Sequence, residues 1–400
     1  MISNRNILCI ANPLWEGDYA KTIVELMSVF AQQNKVLYVD NPYTIKDVLV
    51  ALKGKTPFPF ARAFGLKPRL RKLPAGDSTF VYVLTPPVVL SINFLPRGML
   101  YKTLLRLNGW LVRNSIRRSL ATLDMRQDLI NIVAFNPALG LVNKRKLKEK
   151  LLIYHCYDEI NAALWLKKHG DWIEKEFMTI ADAVVVTSQG LLEKKRDLCK
   201  ACFLVKNAVN IELFSKGFNP EISAKKTIGY IGSIDDRLDY DMLEALIKRL
   251  PEAQFVFVGR VVYKKAEEIL SKYPQVVFTG PKSVDQLPGL LHGFSLGIIP
   301  FVKNEFTQGI YPLKINEYLA AGLPVVTTHF SYLNDFEKVA RIADTPQDFI
   351  EYVCEELASD SLEKKNQRLL TAKGNSWQQR VEEFSGIITQ LETKANQAQA

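Results

Sequence analysis

Residues 227–259 read TIGYIGSIDDRLDYDMLEALIKRLPEAQFVFVG. An apolar run, TIGYIGS, contains a glycine at its end; a polar, aspartate-rich stretch follows. A helical pattern over 239–250 then leads into a second apolar run, QFVFVG at 254–259. Strand, helix and strand in one short stretch are the repeating unit of a parallel sheet covered by helices. The alternation continues toward the C-terminus with VVFTG (276–280), LGIIPF (296–301) and PVVTT (324–328), separated by helical stretches at 262–272 and 283–292 and by the helix within 311–322. Five short runs rich in Val and Ile describe one doubly wound sheet.

Upstream, FSKGFNPEISAKK (214–226) is polar, carries Gly and Pro, and has no periodicity, so it reads as a linker. Before it, NILCIA (6–11), KVLYVD (35–40), LINIVAF (129–135), KLLIYHC (150–156), DAVVVTS (182–188) and CFLVKN (202–207) alternate with helices at about 19–33 and 171–180. Prolines 57, 59, 68, 74, 86 and 87 interrupt the pattern. The expected fold class is α/β, with two Rossmann-like doubly wound domains facing across a cleft. The expected domains are residues 1–213, with a basic insertion at 51–120, and residues 227–376. The 214–226 linker joins them, and 377–400 form a C-terminal helix and tail, the helix packing back on the first domain. Ligands of such sheets bind beyond the carboxyl ends of the strands. Function is therefore expected in the loops after Ala11, Cys156, Ser233, Gly259, Gly280 and Phe301.

The chain has 400 residues, more than one ordinary core of about 150–200 residues needs. A composition 48% hydrophobic and 24% charged is that of a globular protein. The apolar run Ile7–Ala11 is too short for a signal peptide. LLHGFSLGIIPFV (290–302) falls short of the ~18 residues of a membrane span. A cytoplasmic protein, peripheral on the inner face of the membrane, is expected. Cys199 and Cys202 form a lone C-x-x-C, and the four histidines are too scattered to complete a zinc site, so reduced thiols are expected.

The net charge of +10 is uneven. Residues 51–120 hold thirteen Lys or Arg against one acid, Asp77, a balance of +12; the rest of the chain stands at −2. In RGMLYKTLLRLNGWLVRNSIRRSL (97–120), Leu100, Leu104, Leu107 and Leu111 share one helical face. Lys102, Arg106, Arg113 and Arg117 lie on nearly the opposite one. The segment reads either as a core-packing helix with a solvated basic face or as a patch for anionic lipid headgroups or a charged carrier. Nucleic acid would also be attracted, but no motif for reading it is recognisable.

In YPLKINEYLAAGLPVV (311–326), Pro312 suits the first helical position, where an N–H would go unbonded anyway. The free amides of residues 311–314, Tyr311 and Leu313 among them, and the positive end of the helix suit a diphosphate. Lys314 adds a full charge. Glu317, one turn in and beside the small Ala320 and Ala321, can accept hydrogen bonds from two neighbouring hydroxyls, as on a ribose. The competing reading is a plain helix-start pair. Gly322 caps the helix. Gly232 and Ser233 end the first strand of this half, and Arg237 lies within reach of a phosphate on the same loop. No G-x-G-x-x-G is present, so a dinucleotide fingerprint is absent. The run Asp235, Asp236, Asp239 and Asp241 reads as helix N-terminal carboxylates rather than a metal site.

These stretches, with VKNAVNIELF (205–214) and FMTIADAVVVTSQGL (177–191), resemble the family-four retaining glycosyltransferases of GT-B fold. Within that family the chain is similar to the teichuronic-acid-type branch. The resemblance implies transfer of a sugar from a UDP- or GDP-linked donor, with no metal or covalent cofactor, to a glycan or lipid-linked acceptor. It implies that Glu317 holds the ribose, that Gly232, Ser233 and Arg237 form the diphosphate loop, and that Lys314 faces the phosphates or the sugar. Pro281 and Lys282 fall where the base-binding loop runs. The family's pair of glutamates is broken here, because Gly309 stands at the earlier position, and the Gly309–Tyr311 backbone would have to substitute. Ser233 stands where the family's phosphate loop commonly has an arginine. On the acceptor side, NPLWEGDY (12–19) presents Gly17, with Trp15, Glu16 and Asp18 near the acceptor. In IYHCYDE (153–159), His155 falls where a histidine touches the donor sugar, and Asp158 would orient it or take the acceptor's proton. A buried structural histidine is the alternative. A GT-B nucleotide-sugar epimerase and a non-catalytic nucleotide-sugar-binding protein are the rival readings.

Overall fold

The structure, a computed structural model, describes residues 1–17, 21–54, 58–76, 78–163, 165–222 and 225–397. They fall into two compact units. The first comprises Met1–Gly17, Lys21–Val205 and the C-terminal residues from Val381; the second is Lys206–Arg380.

The first unit is built on eight strands: β1 (Asn6–Ile10), β2 (Lys35–Val39), β3 (Leu70–Pro74), β4 (Phe80–Leu84), β5 (Ile130–Ala134), β6 (Leu151–Cys156), β7 (Ala183–Val186) and β8 (Cys202–Leu204). Their order is β3-β4-β2-β1-β5-β6-β7-β8. All pairs are parallel except β3 with β4. The central strands β5, β6 and β7 are buried along their whole length, which is why they read as unbroken apolar runs. The second unit carries β9 (Thr227–Ile231), β10 (Gln254–Val258), β11 (Val276–Gly280), β12 (Leu296–Ile299), β13 (Val325–Thr328) and β14 (Arg341–Ala343). They form an all-parallel sheet in the order β11-β10-β9-β12-β13-β14.

Several expectations need correction. The proline-broken region contains the β3–β4 hairpin, and Pro74 is tolerated because it ends an edge strand. The linker expected at 214–226 is not one at its start. Asn207 donates to the Tyr311 carbonyl at 2.9 Å, Ile211–Phe214 form a helical turn, and Phe214 is buried in the second unit's core. The boundary therefore falls at Val205–Lys206. The helix Met99–Thr122 buries Tyr101, Leu105, Asn108, Val112 and Ile116 rather than the leucine stripe. Leu100 is 62% and Leu107 42% exposed. The C-terminal helix runs Trp377–Gln397. From Val381 it belongs to the first unit, where Phe384 packs edge-on to Phe30 at 5.7 Å. Glu392 pairs with Arg5, and lies 3.5 Å from Lys150. The five cysteines are free thiols.

Beneath β6 lies a buried ion pair. Lys195 Nζ sits 2.8 Å from Glu174 Oε2, with Glu159 at 3.6 Å, and Tyr154 Oη is 2.8 Å from Glu174 Oε1. Breaking such a pair leaves an uncompensated charge in a poorly hydrated interior. Glu174→Gln is expected to lower the unfolding free energy by about 3–5 kcal/mol, measured by urea titration.

Candidate functional site

The second unit's sheet brings three loops together at its carboxyl edge. Gly232 N–H donates to the Val258 carbonyl at 2.8 Å, Ile234 N–H to Arg260 at 2.9 Å, and Gly259 N–H to Gly280 at 3.0 Å. Two glycines make this approach possible. Gly232 has φ +143° and Gly259 φ +147°, and a Cβ on Gly259 would fall 1.9 Å from the Gly232 carbonyl oxygen. A Cβ on Gly232 would lie 2.4 Å from Lys314 Cε, so the bare backbone is also what admits the lysine.

Lys314 belongs to the helix Leu313–Ala320, which Pro312 precedes as N-cap, one position earlier than the sequence suggests. The helix is locked at its far end by two bonds, Gly322 N–H to Leu319 O at 2.9 Å and Leu323 N–H to Tyr318 O at 3.0 Å. It is tied to the sheet by Ile231 N–H, which donates to Tyr318 Oη at 2.8 Å. The Lys314 ammonium lies 5.5 Å from the Tyr230 ring centre and 5.3 Å from that of Phe301. Glu317 is only 6% exposed. Gly232, Gly259, Lys282, Leu313, Lys314 and Glu317 together line one cavity of about 140 Å³, with Ile231, Val258, Val284 and Leu287 as its apolar walls. A carboxylate, two ammonium groups and a helix N-terminus around one small hollow suit a ligand with an anionic part and a hydroxylated part.

Other expected donor residues are placed differently. Arg237 is outside the cavity lining: its fork is held by Asp235, with Nε to Oδ1 at 2.8 Å and Nη2 to Oδ2 at 2.6 Å. Its guanidinium stacks 5.2 Å from the Phe301 ring that Lys314 also faces. Ser233 contributes a carbonyl that accepts from Tyr230 Oη at 2.9 Å. Tyr311 is buried against Phe336 at 5.5 Å, its hydroxyl without a hydrogen-bond partner among the described residues. Pro281 is exposed and does not line the cavity. The backbone expected to replace the glutamate at Gly309 is already engaged, Gly309 N–H with Phe306 O at 3.1 Å and Ile310 N–H with Thr307 O at 3.0 Å. Of the acidic run, Asp239 caps the helix Tyr240–Arg249. Among the described residues no group of three or more His, Cys, Asp or Glu could hold a metal ion.

In the first unit, His155 is a core residue. It is 1% exposed, its ring lies 5.9 Å from Phe384 and 5.7 Å from Tyr157, and Nδ1 has no hydrogen-bond partner among the described residues. Burial lowers its pKa to about 4. This burial fits the structural alternative for the histidine, and Asp158, exposed in the following loop, makes no hydrogen bond to Nδ1. Asp18 lies outside the described residues. Trp15, Glu16 and Gly17 form a tethered loop. Lys21 Nζ donates to Leu14 O at 2.6 Å and Glu16 O at 3.1 Å, Glu16 Oε2 meets Arg71 at 2.5 Å, and Trp15 N–H donates to Asp40 Oδ1 at 2.8 Å. Asp40 was legible only as the last residue of KVLYVD. The signal was its place at the carboxyl end of a parallel strand. Tyr230 and Phe301, which cradle Lys314, left no sequence signal beyond strand-like apolarity.

Comparison with known proteins agrees with this geometry. Residues 225–359 match the family described as Glycosyl transferases group 1, and every cavity residue falls inside that match. The chain is 29% identical over 201 residues to TuaH of Bacillus subtilis (strain 168), a protein named for a glycosyltransferase role in teichuronic acid biosynthesis. That match covers 46% of this chain and spans about half, 50%, of the relative. Among solved structures, sucrose-phosphate synthase from Thermosynechococcus elongatus superposes with a TM-score of 0.69 at 14% identity, covering 98% of this chain and 100% of that one. Anabaena HepE, solved in complex with UDP and glucose, gives 0.62 at 12% identity over 96% and 100% of the two chains. The fold is that of the GT-B glycosyltransferases.

A methyl group on Gly259 would collide with backbone that cannot yield. Gly259→Ala is expected to cost at least about 2 kcal/mol in urea unfolding, because the clash and the positive φ add.

Proposed function

We propose that this chain is a retaining glycosyltransferase that moves a sugar from a nucleoside diphosphate donor to a hydroxyl acceptor, glycan or lipid-linked, in the assembly of a cell-surface polysaccharide or glycolipid. The observation that carries the reading is the convergence of Gly232, Lys282, Lys314 and Glu317 on one cavity inside the matched family domain. In this reading Glu317 accepts hydrogen bonds from the ribose hydroxyls. The start of the helix Leu313–Ala320, with the positive end of its dipole, meets the diphosphate beside the Lys314 ammonium. Lys282, Val284 and Leu287 stand where the base rests. Charge growing on the departing diphosphate is then met by groups already in position, which is where preorganised electrostatics lower a barrier. The positive charge comes from the chain itself, so the reading requires no metal.

A thermal-shift titration with UDP and GDP tests this. At ~100 times Kd the ligand stabilises by about 2.7 kcal/mol, a melting rise of roughly 5–10 °C for a unit of this size. The expected outcome is a rise with one of the two, unaffected by EDTA and lost in Glu317→Ala. Equal rises in wild type and variant would reject the ribose role.

The acceptor side is read as working at an anionic membrane surface. No helix among the described residues is long and apolar enough to cross a membrane. The helix Met99–Thr122 nevertheless exposes Met99 (85%), Leu100 (62%) and Trp110 (49%). Beside it, Lys146 has its pKa lowered by burial and then by Arg113, Arg106 and Lys144, the mark of cations crowded together. Crowded cations beside apolar side chains suit anionic headgroups. The protein is expected to sediment with phosphatidylglycerol vesicles at low salt, less at high salt, and to lose binding in Arg106→Glu/Arg117→Glu. Absence of binding at low salt removes the patch.

A further inference from the structure

Asp40 follows β2 at the carboxyl edge of the first unit's sheet and is 4% exposed. Its Oδ1 is taken by the Trp15 N–H at 2.8 Å. Arg71 Nη2 stands 4.0 Å from its Oδ2, too far for a hydrogen bond. The Arg71 Nε is buried and has no hydrogen-bond partner among the described residues, although Nη1 holds Glu16 at 2.5 Å. A carboxylate oxygen and a guanidinium thus face each other across a gap that neither closes. A hydroxyl is both donor and acceptor, so one placed there would donate to Asp40 and accept from Arg71.

Aromatic residues adjoin the pair, Trp15 through its N–H on Asp40 and Tyr43 three residues further along the chain. The Trp15 ring lies edge-on to Tyr38 at 5.1 Å, and Tyr43 packs on Phe58 at 4.8 Å. The Tyr43 phenol has its pKa raised by burial and then by the charges of Asp40 and Asp47, so it feels the Asp40 carboxylate. A sugar offers an apolar face and a hydroxylated edge, the combination that rings and a charged pair receive.

We propose that Asp40 and Arg71, with Trp15 and Tyr43 from the adjoining loops, form a hydroxyl-recognition subsite for the saccharide that receives the transferred sugar, an inference that rests on the transferase reading. The carboxylate is kept at a cost. Burial pushes its pKa up to about 6 against the pull of the Trp15 N–H and Arg71; Glu16 opposes ionisation and Lys21 favours it. The folded chain therefore holds this proton more tightly than the unfolded one. The cost of ionising it is absent below about pH 4 and complete above about pH 6. A charge retained at the expense of stability marks a functional group more often than a structural one.

Asp40→Asn tests the proposal, since the amide keeps an oxygen for the Trp15 N–H. Saturation-transfer NMR with a panel of p-nitrophenyl glycosides is compared with melting curves at about pH 8 and about pH 4, and with the UDP and GDP thermal shifts. The expected result is a glycoside signal at least about fivefold weaker in the variant, a higher melting temperature at the alkaline pH only, and an unchanged shift with whichever of UDP and GDP stabilises the wild type. An equal glycoside signal in both proteins, no signal with the wild type, or a lower melting temperature of the variant at alkaline pH each overturns the subsite. Failure of both UDP and GDP to shift the wild type removes the transferase reading itself, whatever the glycosides do.

Discussion

The contact on which the second unit's cavity depends is that of the Gly232 carbonyl with the α-carbon of Gly259. It draws the loops after β9 and β10 to van der Waals distance and leaves the face of Gly232 open. Lys314 fills that face, its ammonium resting between Tyr230 and Phe301. Attraction to each ring is worth about 0.5–1 kcal/mol, enough to hold a long side chain in one place. A cation positioned before a ligand arrives loses less freedom on binding, and its charge is already where an anion needs it.

The two units handle buried carboxylates in different ways. Glu317 is the fifth residue of its helix and lines the same cavity as Lys314. Asp40 has one amide and a distant guanidinium, and its proton is correspondingly hard to remove. Deeper in the first unit, Glu174 is fully compensated by Lys195 and Tyr154. Asp40 and Glu174, similar in burial, thus differ in how much of their charge the fold balances.

The architecture was largely readable because the central strands are buried on both faces and appear as continuous Val and Ile runs. Lys314 and Glu317 were readable for a related reason: both sit on one helix, so sequence spacing alone places them on neighbouring faces. Contacts made across the chain were not. The burial of His155 depends on Phe384, a residue of the last helix, and the setting of Asp40 depends on Trp15 and Arg71 from separate segments. β3 escaped notice because Arg71 and Lys72 lie on a half-buried edge strand, and β14 because three residues carry no period. The leucine stripe of Met99–Thr122 misled in the opposite direction, since a regular apolar face need not be the buried one.

The helix that closes the chain has a consequence for how the protein is made. Phe384 completes the packing around Phe30 and His155, and Glu392 reaches Arg5 near the start of the sequence. The first unit is therefore the first to be synthesised and the last to be finished, its core open until these late residues leave the ribosome. The second unit is contiguous from Lys206 to Arg380 and can fold while the first still waits.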